Sequence, residues 1–161
     1  LHAVMVNPCV VIGPGPKGKS SMTITERMRN GSRFYTPGSN AVVDARDVAT
    51  AMVKLMGTGA VGERHLLIGE NITYRELFTL ITTKAGHAAP SLRIQPWLLE
   101  LAWRFERVRT LLGGRPLITR YTARTASRLR RYDGRKARKV LGMEFRSAKE
   151  AVENTLKFLN T

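Results

Sequence analysis

The chain has 161 residues, 43% of them hydrophobic, a single cysteine (Cys9) and a formal net charge of +15. That length allows one domain with a sizeable core. The lone cysteine excludes an intramolecular disulfide and fits a reducing cytoplasm, no run of roughly 18 apolar residues offers a membrane span, and no secretory signal pattern opens the sequence.

Leu1 to Gly15 reads as a buried strand running into a Gly/Pro turn. Val4, Met5, Val6, Val10, Val11 and Ile12 are apolar with almost no polar alternation, and Gly13-Pro14-Gly15-Pro16 bounds them. Such a run suits a parallel strand covered on both faces. A parallel strand needs neighbours and crossover helices, yet this one opens the chain at Leu1, so the chain is expected to be the back part of a longer protein. Met22–Asn30 has helical spacing and Gly31 as terminator. Phe34-Tyr35 and Ala41–Val43 read as strand pieces around the turn Pro37–Asn40. Asp47 is expected to cap a helix over Val48–Met56. His65–Ile68 is a short strand, with His65 in a structural role. Thr73 and Glu76 form a capping-box pattern ahead of a helix to Ala85. Ser91–Gln95 reads as a strand and Trp97–Leu112 as a helix opened by Pro96. Thr119–Tyr132 is expected to be a helix with Arg120, Arg124, Arg128 and Arg131 on one face. Asp133 would cap the next short helix, and Ser147 with Glu150 would cap the last, Ala148–Leu159.

The charge is concentrated. Between Arg104 and Lys139 stand thirteen Lys/Arg against two acids, Glu106 and Asp133. Such a block attracts polyanions or an anionic membrane surface by Coulomb steering. It also suits a solvated helix face, or a surface neutralised by an acidic partner segment.

Four segments carry a resemblance. Asn7–Gly15 resembles the NPxxVxGPG segment of extended short-chain dehydrogenases/reductases. Val42–Ala49 is similar to that family's VDVRDVA, Gly62–Asn71 to its GERYLLSGEN, and Tyr132–Gly142 to its D-x-x-K-A-x-x-x-L-G helix. The group they most resemble is the NAD-dependent epimerase/dehydratase family, dihydroflavonol-reductase-like. The resemblance implies an α/β fold: the C-terminal part of a Rossmann-type parallel sheet over residues 1–95, and a mainly helical substrate lobe over 96–161, packed as one unit.

The resemblance further implies NAD or NADP as cofactor in the full-length protein and a carbonyl or alcohol as substrate. Partners would be a small-molecule substrate, the missing N-terminal Rossmann portion and a second copy in a homodimer. Pro8, Cys9 and Val10 match the strand end beside the nicotinamide, and Ser21 matches a position near the cofactor; a plain strand end and turn is the other reading. The family's Tyr-x-x-x-Lys pair would lie upstream. Tyr132 and Lys136 have that spacing but fall in the D-x-x-K-A segment, so no catalytic residue is assigned within the chain, which by itself should be inactive. Gly13–Gly18 is Gly-rich, but its prolines remove donors and no helix follows at once, so it is rejected as a phosphate cradle. No His/Cys/carboxylate spacing suggests a metal.

Val10 stands where sugar-nucleotide epimerases place an Asn, and Asn40 near where they place an Arg. An amide lacks the charge that pairs with a diphosphate, which argues against a nucleotide sugar. Trp97, Leu98, Leu101, Trp103 and Phe105 could wall a less polar pocket, though a core role suits them as well. The alternative is a non-catalytic basic module that binds nucleic acid or an anionic membrane surface.

Overall fold

The computed structural model describes residues 3–16, 18, 19, 21–57, 61–111 and 125–159, without the side chains of 106–109 and 111. In chain order the elements are β1 (Met5–Pro8), β2 (Val10–Ile12), α1 (Met22–Arg29), β3 (Phe34–Tyr35), β4 (Ser39–Asp44) and α2 (Ala45–Met56). Then come β5 (Arg64–Leu67), β6 (Glu70–Thr73), α3 (Tyr74–Lys84), β7 (Leu92–Arg93), α4 (Pro96–Leu111), α5 (Arg135–Leu141) and α6 (Ala148–Leu159). The fold is α/β with parallel pairs: β1 with β5, β2 with β4, and β3 with β7. β6 adds antiparallel to the other edge of β4.

Strand alternation explains the core. Successive side chains of a strand point to opposite faces. Val42 joins Ile12, Ile72, Leu77, Ile81 and the α6 residues Val152 and Leu156 on one face. Val43 joins Ala51, Leu55, Leu67, Ala137 and Leu141 on the other, so α2 and α5 cover that side. The two-sided burial read from the first apolar run therefore holds for β4, where Ala41 to Asp44 are all buried. It fails for β1. The run breaks at Cys9 into two strands, and within β1 Met5, Asn7 and Pro8 are exposed. Val4 and Val6 pack toward the core on one face, and no described element covers the other.

Local signals set most helix ends. The Thr73 capping box closes in both directions, with Thr73 N donating to Glu76 and Glu76 N donating to Thr73 Oγ1. Ser147 and Glu150 do the same for α6; at α5 the cap position is held by Gly134 rather than Asp133, which accepts from the Arg135 backbone at 2.9 Å from one residue before it. Gly142 adopts φ +54 after α5, the left-handed region that suits glycine at a helix end.

Two expected elements differ. The cap of α2 is Asp44, not Asp47: Asp44 accepts from Arg46 N at 2.8 Å and from the Arg46 guanidinium. Asp47 is instead buried in the first turn, where it accepts from the backbone and side chain of Arg146. The local pattern offered two aspartates three residues apart, and only the tertiary partner decides between them.

The helix expected over 119–132 is absent at Arg128–Tyr132, which has no helical structure; residues 119–124, including Arg120, Arg124 and Tyr121, lie outside the described residues. Alternate backbone groups of this segment bond to β4 and β6. Ala126 and Arg128 carbonyls accept from Gly38 and Ser39, Arg130 exchanges bonds with Ser39 Oγ, and Tyr132 does so with Asn71. A period of two replaces 3.6, so Arg128 and Arg131 share no helical face. A Cβ on Gly38 would stand 2.5 Å from the Ala126 carbonyl oxygen, so this approach requires glycine.

Asp47→Ala strips the buried anchor from Arg146 and should cost about 2–3 kcal/mol by urea denaturation. Glu153→Ala, which removes the exposed pair with Lys84 (2.6 Å), should leave the urea midpoint nearly unchanged. Acid should unfold the chain through its bonded carboxylates. Burial pushes Asp44 up, but the Arg46 hydrogen bonds and charge outweigh it and leave it below its ordinary 3.8. Hydrogen bonds from Thr73 and Ser147 hold Glu76 and Glu150 below their ordinary 4.5. Depressed groups stabilise the fold above their unfolded pKa and lose that contribution as pH falls through the folded one. A pH series of melting curves should therefore decline from about pH 4.5 downward.

Candidate cofactor site at the end of the first strand

The structure brings Pro8, Cys9, Val10 and Ser21 to one place. β1 ends at Pro8 and β2 begins at Val10, with Cys9 as the joint. At that joint the chain leaves β5 for β4. Cys9 N donates to the Leu67 carbonyl at 3.2 Å, and two residues further along that strand Gly69 N donates to Val42 at 2.9 Å. Gly69 is held by its surroundings: a Cβ there would meet the Val42 oxygen at 2.9 Å and the Arg146 oxygen at 3.0 Å. Ser21 sits at the start of α1 and its hydroxyl donates to the Val11 carbonyl, which ties the helix to β2. Its oxygen still has acceptor capacity.

Pro8 is exposed while Cys9, Val10 and Ser21 are half-buried. The crevice beyond the carboxyl ends of parallel strands, where partners change, is where open α/β sheets take ligands. Burial pushes the Cys9 thiol up from 9.0 to about 11, against the lowering effect of nearby backbone groups including Gly69. Cys9 is therefore a neutral thiol at physiological pH and no nucleophile.

The neighbouring Gly-rich turn has a packing reason. A Cβ on Gly13 would stand 2.4 Å from the Ala45 Cβ, so glycine lets the strand pass the start of α2. The next helix begins at Met22. Asn40 turns its side-chain oxygen to its neighbour's backbone, accepting from Ala41 N at 2.9 Å. His65 is fully buried on β5, with Nε2 3.4 Å from Glu63. Lys136 pairs with Glu63 at 3.1 Å, and Tyr132 precedes α5 on the segment bonded to Asn71. Among the described residues no cluster of His, Cys, Asp or Glu could hold a metal ion, and no helix is long and apolar enough to cross a membrane.

The α4 residues correct the core expectation. Trp97 is 64% exposed and Phe105 67%, with Leu98 and Leu101 also exposed, while Leu99 is buried. Helical periodicity identified the apolar side chains, but no described element packs on them. Sequence reasoning also missed a cavity of about 970 Å³, which Tyr35, Arg75 and Arg93 help to line. Those residues come from three elements and carry no shared motif.

No family model matches the sequence. Sterol demethylase protein B of Methylococcus capsulatus is 29% identical over 153 residues, 89% of this chain and 45% of that protein. A putative dihydroflavonol 4-reductase of Synechocystis is 29% identical over 161 residues, 95% of this chain and 47% of that protein. The chain thus spans about half the length of the curated relatives it matches. Among solved structures, gox2253 superposes with a TM-score of 0.74 at 25% identity, over 98% of this chain and 48% of that one. A nucleoside-diphosphate-sugar epimerase from Pseudomonas aeruginosa gives 0.71 at 24% identity, over 98% and 47%. RMD from the same organism, complexed with NADPH, gives 0.63 at 16% identity, over 98% and 48%. The chain is a partial, about half-length match to the NAD-dependent epimerase/dehydratase family of short-chain dehydrogenases/reductases, with a dihydroflavonol-reductase-like relative at 29% identity.

Proposed function

We propose that this chain is the C-terminal, substrate-side portion of an NAD(P)-dependent oxidoreductase or epimerase, acting on a carbonyl or alcohol rather than on a nucleotide sugar. The observation that carries the reading is the joint at Cys9, where Pro8, Cys9 and Val10 pass from β1 to β2, with Ser21 bonded to the next residue, Val11. The half-buried side chains of Cys9 and Val10 make a small-residue wall that suits the flat nicotinamide and its carboxamide. When bound, the nicotinamide gives or takes the hydride. The chain's own part is to seat that ring: Cys9 and Val10 close one side against water, backbone groups of Pro8–Val10 face the carboxamide, and Ser21 braces β2 through Val11.

The uncharged residues support the substrate class. Val10 offers a sugar no hydrogen bond, and the Asn40 oxygen is already engaged by Ala41 N. A sugar would find no amide at Val10, and a diphosphate no guanidinium fork at Asn40. The Tyr/Lys pair is not assigned within these residues, so the chain alone should not turn over substrate. A basic module binding nucleic acid or an anionic membrane rests on charge alone. Arg135 and Lys136 are paired with Asp133 and Glu63, and Arg138 is bonded to the Ile68 and Gly69 carbonyls.

The test is a chimera: this chain placed behind the portion of the Synechocystis relative that it does not match. NADPH or NADH fluorescence titration should show saturable binding by the chimera and none by the chain alone. Val10→Trp, which fills the ring's place, should weaken binding about tenfold or more, while Val53→Trp on the outer side of α2 should leave it unchanged. A chimera that melts cooperatively and binds neither cofactor would overturn the reading. Cys9 reports on the same place: alkylation by iodoacetamide should be slow at neutral pH and accelerate only toward pH 11. Fast labelling of the folded chain at neutral pH would contradict the buried strand end.

A further inference from the structure

The cavity of about 970 Å³ lies away from the strand end, and none of Pro8, Cys9, Val10 and Ser21 lines it. It opens between the β3–β7 ribbon, β6 and α3. Its charged and amide side chains fall into two sets. Three are engaged. Glu76 closes the capping box, accepting from Thr73 N at 2.9 Å and from Thr73 Oγ1 at 2.7 Å. Glu70 accepts from Ala148 N at 2.9 Å. Asn71 exchanges bonds of 3.0 and 2.8 Å with the Tyr132 backbone.

The two guanidiniums are not engaged. Neither Arg75 nor Arg93 forms a hydrogen bond or ion pair with any described residue. Arg75 Cζ stands 5.3 Å from the centre of the Tyr35 ring, so a cation and an aromatic face form one wall. Arg75 also occupies the first turn of α3, where a cation opposes the helix dipole. Helix stability therefore does not explain its placement. Beside these groups lie apolar side chains, Leu80 and the 77% exposed Leu129.

We propose that this cleft binds a small amphipathic anion, a carboxylate or phosphate monoester on an apolar or aromatic body. Arg75 and Arg93 take the anionic group, since a guanidinium fork matches both oxyanions in bidentate fashion. Tyr35, Leu80 and Leu129 take the body. Glu70 and Glu76 offset the two arginines at long range, so direct contact and the apolar body must supply the affinity, and free inorganic anions should bind poorly. The volume suits one small molecule. The site stands independently of the cofactor reading, because every residue in it belongs to this chain and none belongs to the nicotinamide wall.

Calorimetric titration of the 161-residue chain with 1-naphthoate, 1-naphthyl phosphate and the neutral 1-naphthalenemethanol tests it, at about 0.15 M salt so that long-range attraction is screened. At least one anion should bind one per chain, with the alcohol roughly tenfold weaker. Preference between the two anions assigns the head group. Arg75→Gln with Arg93→Gln should weaken anion binding roughly tenfold. Lys139→Gln with Lys149→Gln, equal in charge loss and outside the cleft, should change it less than about twofold. All four side chains are exposed, so matching melting curves should accompany both double variants. Equal binding of the alcohol, equal loss in both double variants, or no saturable binding by either anion would overturn the proposal.

Discussion

The double burial of β4 is the constraint on which the rest of the chain depends. Its backbone is hydrogen-bonded on both edges, to β2 in parallel and to β6 antiparallel. Its side chains feed both faces, Val42 into the cluster with α3 and α6, Val43 into the cluster with α2 and α5. Its last residue, Asp44, starts α2. Its first residues, with Gly38 before them, hold the segment 126–130. A strand used on four sides leaves little room for alternatives of register, because a one-residue slip would exchange the two clusters and expose both. β2 inherits its position from β4, and the candidate cofactor wall inherits its position from β2.

Much of this was legible in the residues. The capping boxes at Thr73 and Ser147 are short-range chemistry, fixed by residues three apart, and they formed as the pattern implied. The apolar stretch Ala41–Val43 named the central strand. The less legible parts depend on partners distant in sequence. Asp44 and Asp47 look alike locally; Arg146, 99 residues away, decides which is the buried anchor. The arginines between 120 and 131 read as a helical stripe because their spacing is three and four, yet after the turn at Ala126 and Ser127 the bonds to Ser39 and Asn71 hold the backbone of 128–132 out of a helix. For β1, an apolar sequence predicted burial that only a covering element could supply, and the described residues give it one covered face. The exposed side chains of α4 follow the same logic: periodicity marks an apolar face, not what covers it.

The candidate site divides in the same way. Pro8, Cys9, Val10 and Ser21 were named through a family resemblance, and their meeting follows from the joint at Cys9 and the Ser21 bond to Val11. The cleft of Tyr35, Arg75 and Arg93 had no sequence signal at all, because those three side chains come from three separate elements, β3, α3 and β7. Unpartnered cations become visible only when every neighbour is known. The charge that dominates the composition thus resolves into several roles. Arg46, Arg138 and Arg146 are structural bonds to Asp44, to the Ile68 and Gly69 carbonyls and to Asp47. Arg75 and Arg93 face a cavity of about 970 Å³ without a bonded partner among the described residues.

The most direct measurement is a crystal structure of the chimera grown with NADPH. The nicotinamide carboxamide should lie within hydrogen-bond distance of backbone groups at Pro8–Val10, with the ring against Cys9 and Val10 and Ser21 still bonded to Val11. A cofactor bound with its ring away from that strand end, or seated in the Arg75–Arg93 cleft, would contradict the assignment of this wall to the cofactor.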